Sequence, residues 1–385
     1  MLQPRAVIVG GGIGGFALAL ALRAQDYDAL VIEQAPALSA VSLGGGLHIW
    51  ANGMRALRRL WVADDVVALG GDDSRLRSAE FYNWRGRLLG GFDGREVESR
   101  LGEPTVGVLR SELHALLAER FGSDGIRLGS ACTGFSESDG SVVAHLDDGS
   151  DERGAVLVGA DGLHSAIRGQ LHGDKPPRSV SLSYVQGTTR PLATTPPGVL
   201  RIYYGPGARF LFYPLGHDRQ FWEASIVARP EEEVPMERLA QLYADWPSPI
   251  PALLQSTESA ALSSGHAYDR PPLKGWGRGL VTLLGDAAHP MTNGLAQGAN
   301  QTLEDAIVLA NCLAAGSEPA RQLRAYEALR QSRTKSIARK SAAIARAVRL
   351  RRTVPLKLRD ILMARVAFTP RGFRQQQKDL DYSFD

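Results

Sequence analysis

The stretch "RAVIVGGGIGGFALALALRAQDYDALVIEQ", residues 5–34, constrains this chain more than any other. Residues 5–9 are β-branched and apolar, 13–25 are helix-forming, and 28–32 return to strand composition, which predicts a β-α-β unit. Gly10, Gly12 and Gly15 fall on G-x-G-x-x-G, with Ile13 and Gly14 at the start of the expected helix. Glycines there permit a tight turn and let a pyrophosphate approach the helix N-terminus, whose free N–H groups and dipole favour anions. Glu33, 23 positions after Gly10, ends the second strand, where a carboxylate can bind both hydroxyls of an adenosine ribose. A glycine-rich turn without a ligand leaves that acid unexplained, so a dinucleotide site is expected from Gly12, Ile13, Gly14, Gly15 and Glu33.

Composition narrows the rest. With 385 residues, 44% hydrophobic and 22% charged, the chain can bury a large core and is expected to form two or more lobes. Cys132 and Cys312 form no C-x-x-C pair, which argues against a disulfide framework or a zinc site and suits a reducing, cytoplasmic setting. The apolar N-terminal stretch does not read as a signal peptide, because the glycines split it and an acid-terminated strand follows at once. No run of 18 apolar residues occurs, so no span is expected. From Arg321 to Lys378 there are 17 lysines and arginines against Glu327 and Asp360, a local charge of +15 that leaves −12 for the remainder. A solvated helical face is the plainer reading; an anionic membrane surface is the alternative, with Ile337, Ile344 and Val348 on one helical side among cations. No nucleic-acid partner is expected.

Two further strand ends repeat the first motif's form. "AVLVGADGLHSAIR", residues 155–168, is an apolar strand ending in Asp161-Gly162, with a helix expected from about Leu163. "GLVTLLGDAAHPMTNGLAQGAN", residues 279–300, is a strand ending in Gly285-Asp286, followed by small and amide residues and a helix from about Gly298. Three strand ends with one acid each suggest edges of a single sheet converging on one extended ligand.

These residues carry a family resemblance. "GGGIGG" with Glu33, "GADGLHSAIR" at 159–168 and "GDAAHPMTNGLAQGAN" at 285–300 resemble the three fingerprints of class A flavoprotein monooxygenases, the para-hydroxybenzoate hydroxylase fold, across about residues 5–335. "GGGLHIWANGMRAL" at 44–57 and "GVLRSELHALL" at 107–117, with Arg110 at a helix start, resemble secondary features of the family. Gln34, which the resemblance places at the adenosine as a cofactor-binding position, departs from the family, since a basic residue often follows the acid there. The resemblance implies an α/β fold: a Rossmann-type FAD-binding domain, a mixed antiparallel sheet domain for substrate, and C-terminal helices. It implies FAD as cofactor and NAD(P)H as reductant, NADPH slightly favoured, bound without a domain of its own. With FAD in place, Asp286 can accept hydrogen bonds from the ribityl hydroxyls, and the N–H groups of Gly298, Ala299 and Asn300 can face the flavin's pyrimidine edge, where reduction places negative charge. Pro290 would shape the wall beside the ring, Asp161 would serve as a further cofactor-binding acid, and His289 reads as a packed loop histidine.

The expected domains are 1–173 for the first part of the FAD-binding domain, with a strand excursion near 75–105, then 174–280 for the substrate sheet, 281–335 for the second FAD-binding part and 336–385 for a C-terminal helical segment. Alternation in "RIYYG", "RFLFYPLG" and "RQFWEASIVA" predicts antiparallel strands with turns at "GPGA" and "GHD". Most aromatics there read as sheet packing; Tyr213 is placed in the pocket, and His48 reads equally as a pocket group or a core histidine. By resemblance the two lie on opposite flanks of the flavin ring, where one would orient a substrate hydroxyl and take or relay its proton.

No G-x-S-x-G, H-E-x-x-H or phosphate-loop motif occurs, so the chemistry must reside in the cofactor. The expected function is an FAD-dependent monooxygenase that uses NAD(P)H and O2, through a flavin C4a-hydroperoxide, to hydroxylate a small aromatic or electron-rich substrate, as monomer or homodimer. A flavin-dependent reductase of an isoprenoid lipid, and a flavoprotein that binds a reactive intermediate without turnover, are the alternatives; the absence of W-x-W-x-I-P disfavours a halogenase.

Overall fold

The computed structural model describes residues 4–41, 45–173 and 175–384, so the first glycine of the 44–57 stretch and the expected boundary at 174 lie outside the described residues. Five parallel strands form the first sheet, in the order Val281–Leu283, Val156–Gly159, Arg5–Val9, Asp28–Glu33, Ile126–Leu128. Its central strand is apolar on both faces because both are covered, as parallel sheets require. Helix Ile13–Arg23 crosses one face and packs against helix Gly298–Ala314, which brings the ends of the chain's first and third motifs together. Two glycines make this possible. Gly10 has φ +108, and a Cβ on Gly15 would lie 2.0 Å from the Gly10 carbonyl oxygen, so no larger residue permits this strand-to-helix turn.

The second sheet has seven strands, in the order Leu262–Asp269, Arg178–Thr189, Arg219–Ile226, Ala208–Gly216, Val199–Gly205, Ser78–Asn83, Leu88–Asp93. All pairs are antiparallel except Val199–Gly205 with Ser78–Asn83. The excursion expected near 75–105 therefore contributes its strands to the substrate sheet. Alternation sorts the aromatics: Tyr203, Phe210, Phe212 and Trp222 pack on the outer face against helices Met236–Tyr243 and Ile250–Gln255. Burying a side chain such as Phe210 contributes roughly 1.5–3 kcal/mol. The inner face, carrying Arg209, Leu211 and Tyr213, looks toward the first sheet.

The boundary expected at 335/336 falls inside one continuous helix, Pro319–Val348. Its buried side includes Ile337 and Val348, so the face considered for membrane contact instead packs on the protein. Arg330, fully buried on this helix, reaches Asp305 at 2.7 Å and Glu304 at 2.5 Å. Helix Thr353–Leu362, a π-helical turn Met363–Ala367 and helix Pro370–Gln377 then fold back under the second sheet. Arg359 holds them there, donating to the carbonyls of Gly205 (2.9 Å) and Tyr204 (3.1 Å). No helix among the described residues is long and apolar enough to cross a membrane.

Candidate active site

An elongated cavity of about 630 Å³ runs from Gly12, Ile13 and Gly14 at the first helix start to the inner face of the seven-stranded sheet. Arg110 stands on its wall at the start of helix Arg110–Phe121, with its backbone N–H held by the Gly45 carbonyl at 3.0 Å. Glu33 sits behind the glycine turn, where its two carboxylate oxygens accept from Gly11 N and Ala35 N, each at 2.8 Å. That geometry fixes the carboxylate against the turn while leaving lone pairs for hydroxyl donors. Gln34 is exposed just beyond, and Gly15 is buried in helix packing, so neither lines the cavity.

The second motif supports the third. Ser165 caps helix Ala166–His172 by accepting from Arg168 N at 2.9 Å, so this helix begins three residues later than the sequence suggests and the preceding turn passes through Gly162. Arg168 is buried and donates to the carbonyls of Ala287 (2.8 Å) and Ala288 (3.1 Å), clamping the loop after Asp286. Desolvation and the nearby Arg270 bring its pKa down to about 10. Asp161 does not line the cavity: Oδ2 accepts from Ile167 N at 3.3 Å, Oδ1 is buried with no protein partner, and burial raises its pKa.

Asp286 occupies the 3-10 turn Gly285–Ala287 and opens on the cavity. Its accessible surface is cavity surface deep within the protein, so desolvation raises its pKa, opposed by Arg110 and His289. His289 hydrogen-bonds Asp305 at 2.5 Å, and the same carboxylate accepts from Gly285 N at 3.1 Å. Burial alone would raise the Asp305 pKa; His289 and Arg330 outweigh it and lower it. The packed loop histidine is thus part of a buried network that shapes the turn. Pro290, Gly298 and Ala299 line the cavity, whereas Asn300 does not. Asn300 is fully buried, accepts from Trp50 N at 2.9 Å and donates to the His48 carbonyl at 3.0 Å, acting as a strut between strand Gly46–Ile49 and helix Gly298–Ala314.

His48 and Tyr213 meet at the sheet end of the cavity, but not on opposite flanks of it: their ring centroids are 3.9 Å apart in an edge arrangement. The reason is register, since strand Gly46–Ile49 passes directly beneath strand Ala208–Gly216. Burial lowers the His48 pKa to about 3 and pushes the Tyr213 phenol well above 10, so both are neutral across the ordinary pH range. His48 Nε2 is buried with no protein partner. Beside them lies a cluster that sequence reasoning missed. Glu223 accepts from Arg209 at 2.6 Å, Gln186 at 2.9 Å, Ser225 at 2.7 Å and Asn293 at 2.8 Å. Burial would raise the Glu223 pKa, but Arg209 and these donors lower it. Strand alternation carried the signal: Arg209 shares a face with Tyr213, and Glu223 with Phe221.

An adenine dinucleotide with a flavin ring fits this arrangement. Two helix N-termini point at one cavity, space is open beside Gly12 and Gly298, and Arg110, Asp286 and the unpartnered Asp161 oxygen lie along or next to it. The family model described as "FAD binding domain" matches residues 4–341. The chain is 37% identical over 335 residues to aurachin C monooxygenase/isomerase of Stigmatella aurantiaca, covering 85% of each chain. It is 34% identical to 3-amino-4-hydroxybenzoate 2-monooxygenase of Streptomyces platensis, over 88% of this chain and 87% of that one. Among solved structures, Klebsiella pneumoniae HpxO complexed with FAD and uric acid shares the fold, with TM-score 0.89, 24% identity, and 98% and 96% of the two chains covered. The match spanning both sheets and these relatives, matched over most of both chains, have one consequence: the chain belongs to the FAD binding domain family, among the FAD-dependent class A flavoprotein monooxygenases of the para-hydroxybenzoate hydroxylase fold.

Proposed function

We propose that this monooxygenase hydroxylates an aromatic or heteroaromatic ring bearing a hydroxyl or similar polar group, with NAD(P)H as reductant and O2 as oxygen source. The observation that carries the reading is the buried polar end of the cavity, where His48 Nε2, the Tyr213 phenol and the Arg209–Glu223 pair converge beneath the sheet. Relatives named for 3-amino-4-hydroxybenzoate and 6-hydroxynicotinate act on rings of this kind.

Bound FAD supplies electron transfer from the nicotinamide and activation of oxygen. Arg110, Asp286 and the helix starts at Gly12 and Gly298 line the cavity and would hold it there, with Glu33, which does not line the cavity, behind the glycine turn. His48, kept neutral, offers Nε2 to a substrate hydroxyl as a hydrogen-bond partner, and Tyr213 offers a neutral O–H. With its pKa lowered to about 3, His48 is too weak a base to hold a substrate proton near neutral pH, and Tyr213 stays protonated, so these residues orient the ring and polarise its hydroxyl. The Arg209–Glu223 pair fixes a dipole next to them at no reorganisation cost. Leu211, Phe221 and Pro290 exclude water around the reacting carbon.

The test is to supply NADPH or NADH to the FAD-loaded protein with a panel of phenols, heteroaromatics and polyenes. Substrate-stimulated oxidation with a product heavier by one oxygen atom is expected. Reduction of the substrate, or release of peroxide alone with every compound, refutes the reading.

A further inference from the structure

A second cavity, of about 340 Å³, lies under the other half of the seven-stranded sheet. Its walls are carbon: Leu200 and Ile202 from one strand, Phe81 and Phe92 from the edge pair, Met363 and Phe368 from the C-terminal segment. Trp50, Tyr204 and Gln297 also contribute to the lining, and the remaining polar side chains fall in two groups. At the inner end His48, Arg209 and Asn293 line this chamber and the flavin cavity alike, so the two cavities meet at these side chains. At the outer end stand Gln377 and the Lys340–Asp379 ion pair, where the lysine and aspartate are part-exposed.

We propose that this chamber holds a hydrocarbon substituent of the substrate, so that the enzyme's substrate class is an aromatic or heteroaromatic ring carrying an alkyl or alkenyl chain. The inference rests on the proposed hydroxylation and adds the chain to it. A mainly apolar chamber that shares His48 and Arg209 with the ring-binding end favours CH2 groups over polar ones, since a carbon-lined cavity takes apolar ligands. The order of chemistry along the path fits one molecule: a polar head at His48, Tyr213 and Arg209, carbon through the middle, and solvated charge where a chain would emerge. The floor is formed by the π-helical turn Met363–Ala367 and its flanking helices, whose inner residues Met363 and Phe373 are buried while Leu358, Ile361 and Val366 face solvent.

The proposal is tested by binding rather than turnover. FAD-loaded enzyme without reductant is titrated with 4-alkylphenols from methyl to octyl, reading Kd by calorimetry and by the change in flavin absorbance. Each added methylene should tighten binding about fourfold until the chain fills the chamber, after which Kd levels off. Ala343→Phe, at an accessible helical position on the chamber wall, should bring that plateau to a shorter chain, and Ile202→Ala should move it to a longer one. Binding of 4-methylphenol with no gain on lengthening the chain overturns the chain-binding chamber and leaves the ring-hydroxylation reading standing. Gains that Ala343→Phe does not curtail place the chain elsewhere and overturn it too. Failure of every phenol to bind overturns both readings together.

Discussion

The inner face of one sheet roofs two chambers of opposite character. Over the flavin cavity it presents Tyr184, Gln186, Arg209 and Glu223; over the second chamber it presents Phe81, Leu200, Ile202 and Tyr204. Backbone geometry is shared, so the contrast is made entirely by which residues occupy the inward positions of a period-two pattern. The polar half holds its groups by hydrogen bonds, as Glu223 with four side-chain partners shows. The apolar half needs shape alone. Polar chambers are thus intolerant of single deletions, which strand a partner, whereas carbon-lined ones respond in proportion to volume.

The seam between the halves is where the comparison can be broken hardest. Arg209→Met leaves the Glu223 carboxylate buried without its cation, and a loss of about 3–5 kcal/mol in unfolding free energy is expected. The double variant Arg209→Met with Glu223→Leu should lose less than Arg209→Met alone. Equal losses in denaturant titrations would show that the charge pair is not what divides the roof.

Cofactor retention separates the halves next. Asp286→Ala and Glu33→Ala should each weaken FAD by about 1 to 3 kcal/mol, the cost of a missing partner at buried polar groups. Leu200→Ala, in the apolar half, should leave the FAD dissociation constant unchanged in a flavin-fluorescence titration. Full FAD affinity in both acid variants would remove these strand ends from the cofactor site.

Acid stability offers a smaller but cleaner contrast. His48 has a folded pKa of about 3 against an ordinary 6.5, so the unfolded chain binds a proton that the folded chain refuses. Stability therefore falls as pH drops below 6.5 toward 3, by about 2 kcal/mol between pH 7 and pH 5 from this group. Denaturation of His48→Gln at the two pH values should show that slope reduced. The same neutrality means the hydroxylation rate should show no His48-dependent inflection near 6.5; an inflection that vanishes in His48→Gln would make it a working base.

The smallest expected effect is at Tyr213. Tyr213→Phe removes one hydrogen-bond donor, worth about 1 kcal/mol or roughly fivefold. It should slow hydroxylation more than flavin reduction and send reducing equivalents to hydrogen peroxide. Stopped-flow traces resolve the two half-reactions, and unchanged coupling would return Tyr213 to packing.

Much of the flavin half was legible in the sequence because its signals are local. Gly10, Gly15 and Glu33 sit in one β-α-β unit, and the Asp286 turn and the helix start at Gly298 follow within a few residues of a strand. What stayed hidden depends on register between distant segments. Nothing near Glu223 announces Asn293, 70 residues away, and nothing near Asn300 announces the His48 carbonyl, 252 residues away. The same holds for His48 against Tyr213, whose contact follows from how two strands cross. The second chamber was hidden for a further reason: residues such as Ile344 and Phe373 lie in cation-rich helices, and composition alone does not say which side of a helix turns inward.

The edge strand Val281–Leu283 has a consequence in time. It pairs with Val156–Gly159, more than a hundred residues earlier, and the turn, loop and helix that follow it complete the cavity. As the chain leaves the ribosome, the glycine turn and Glu33 are made early, yet the flavin's enclosure stays unfinished until the segment through Ala314 emerges. A nascent chain halted in the substrate sheet lacks Asp286, the Arg168 clamp's acceptors and the second helix start. Flavin capture is thereby reserved for chains whose roof has already been synthesised.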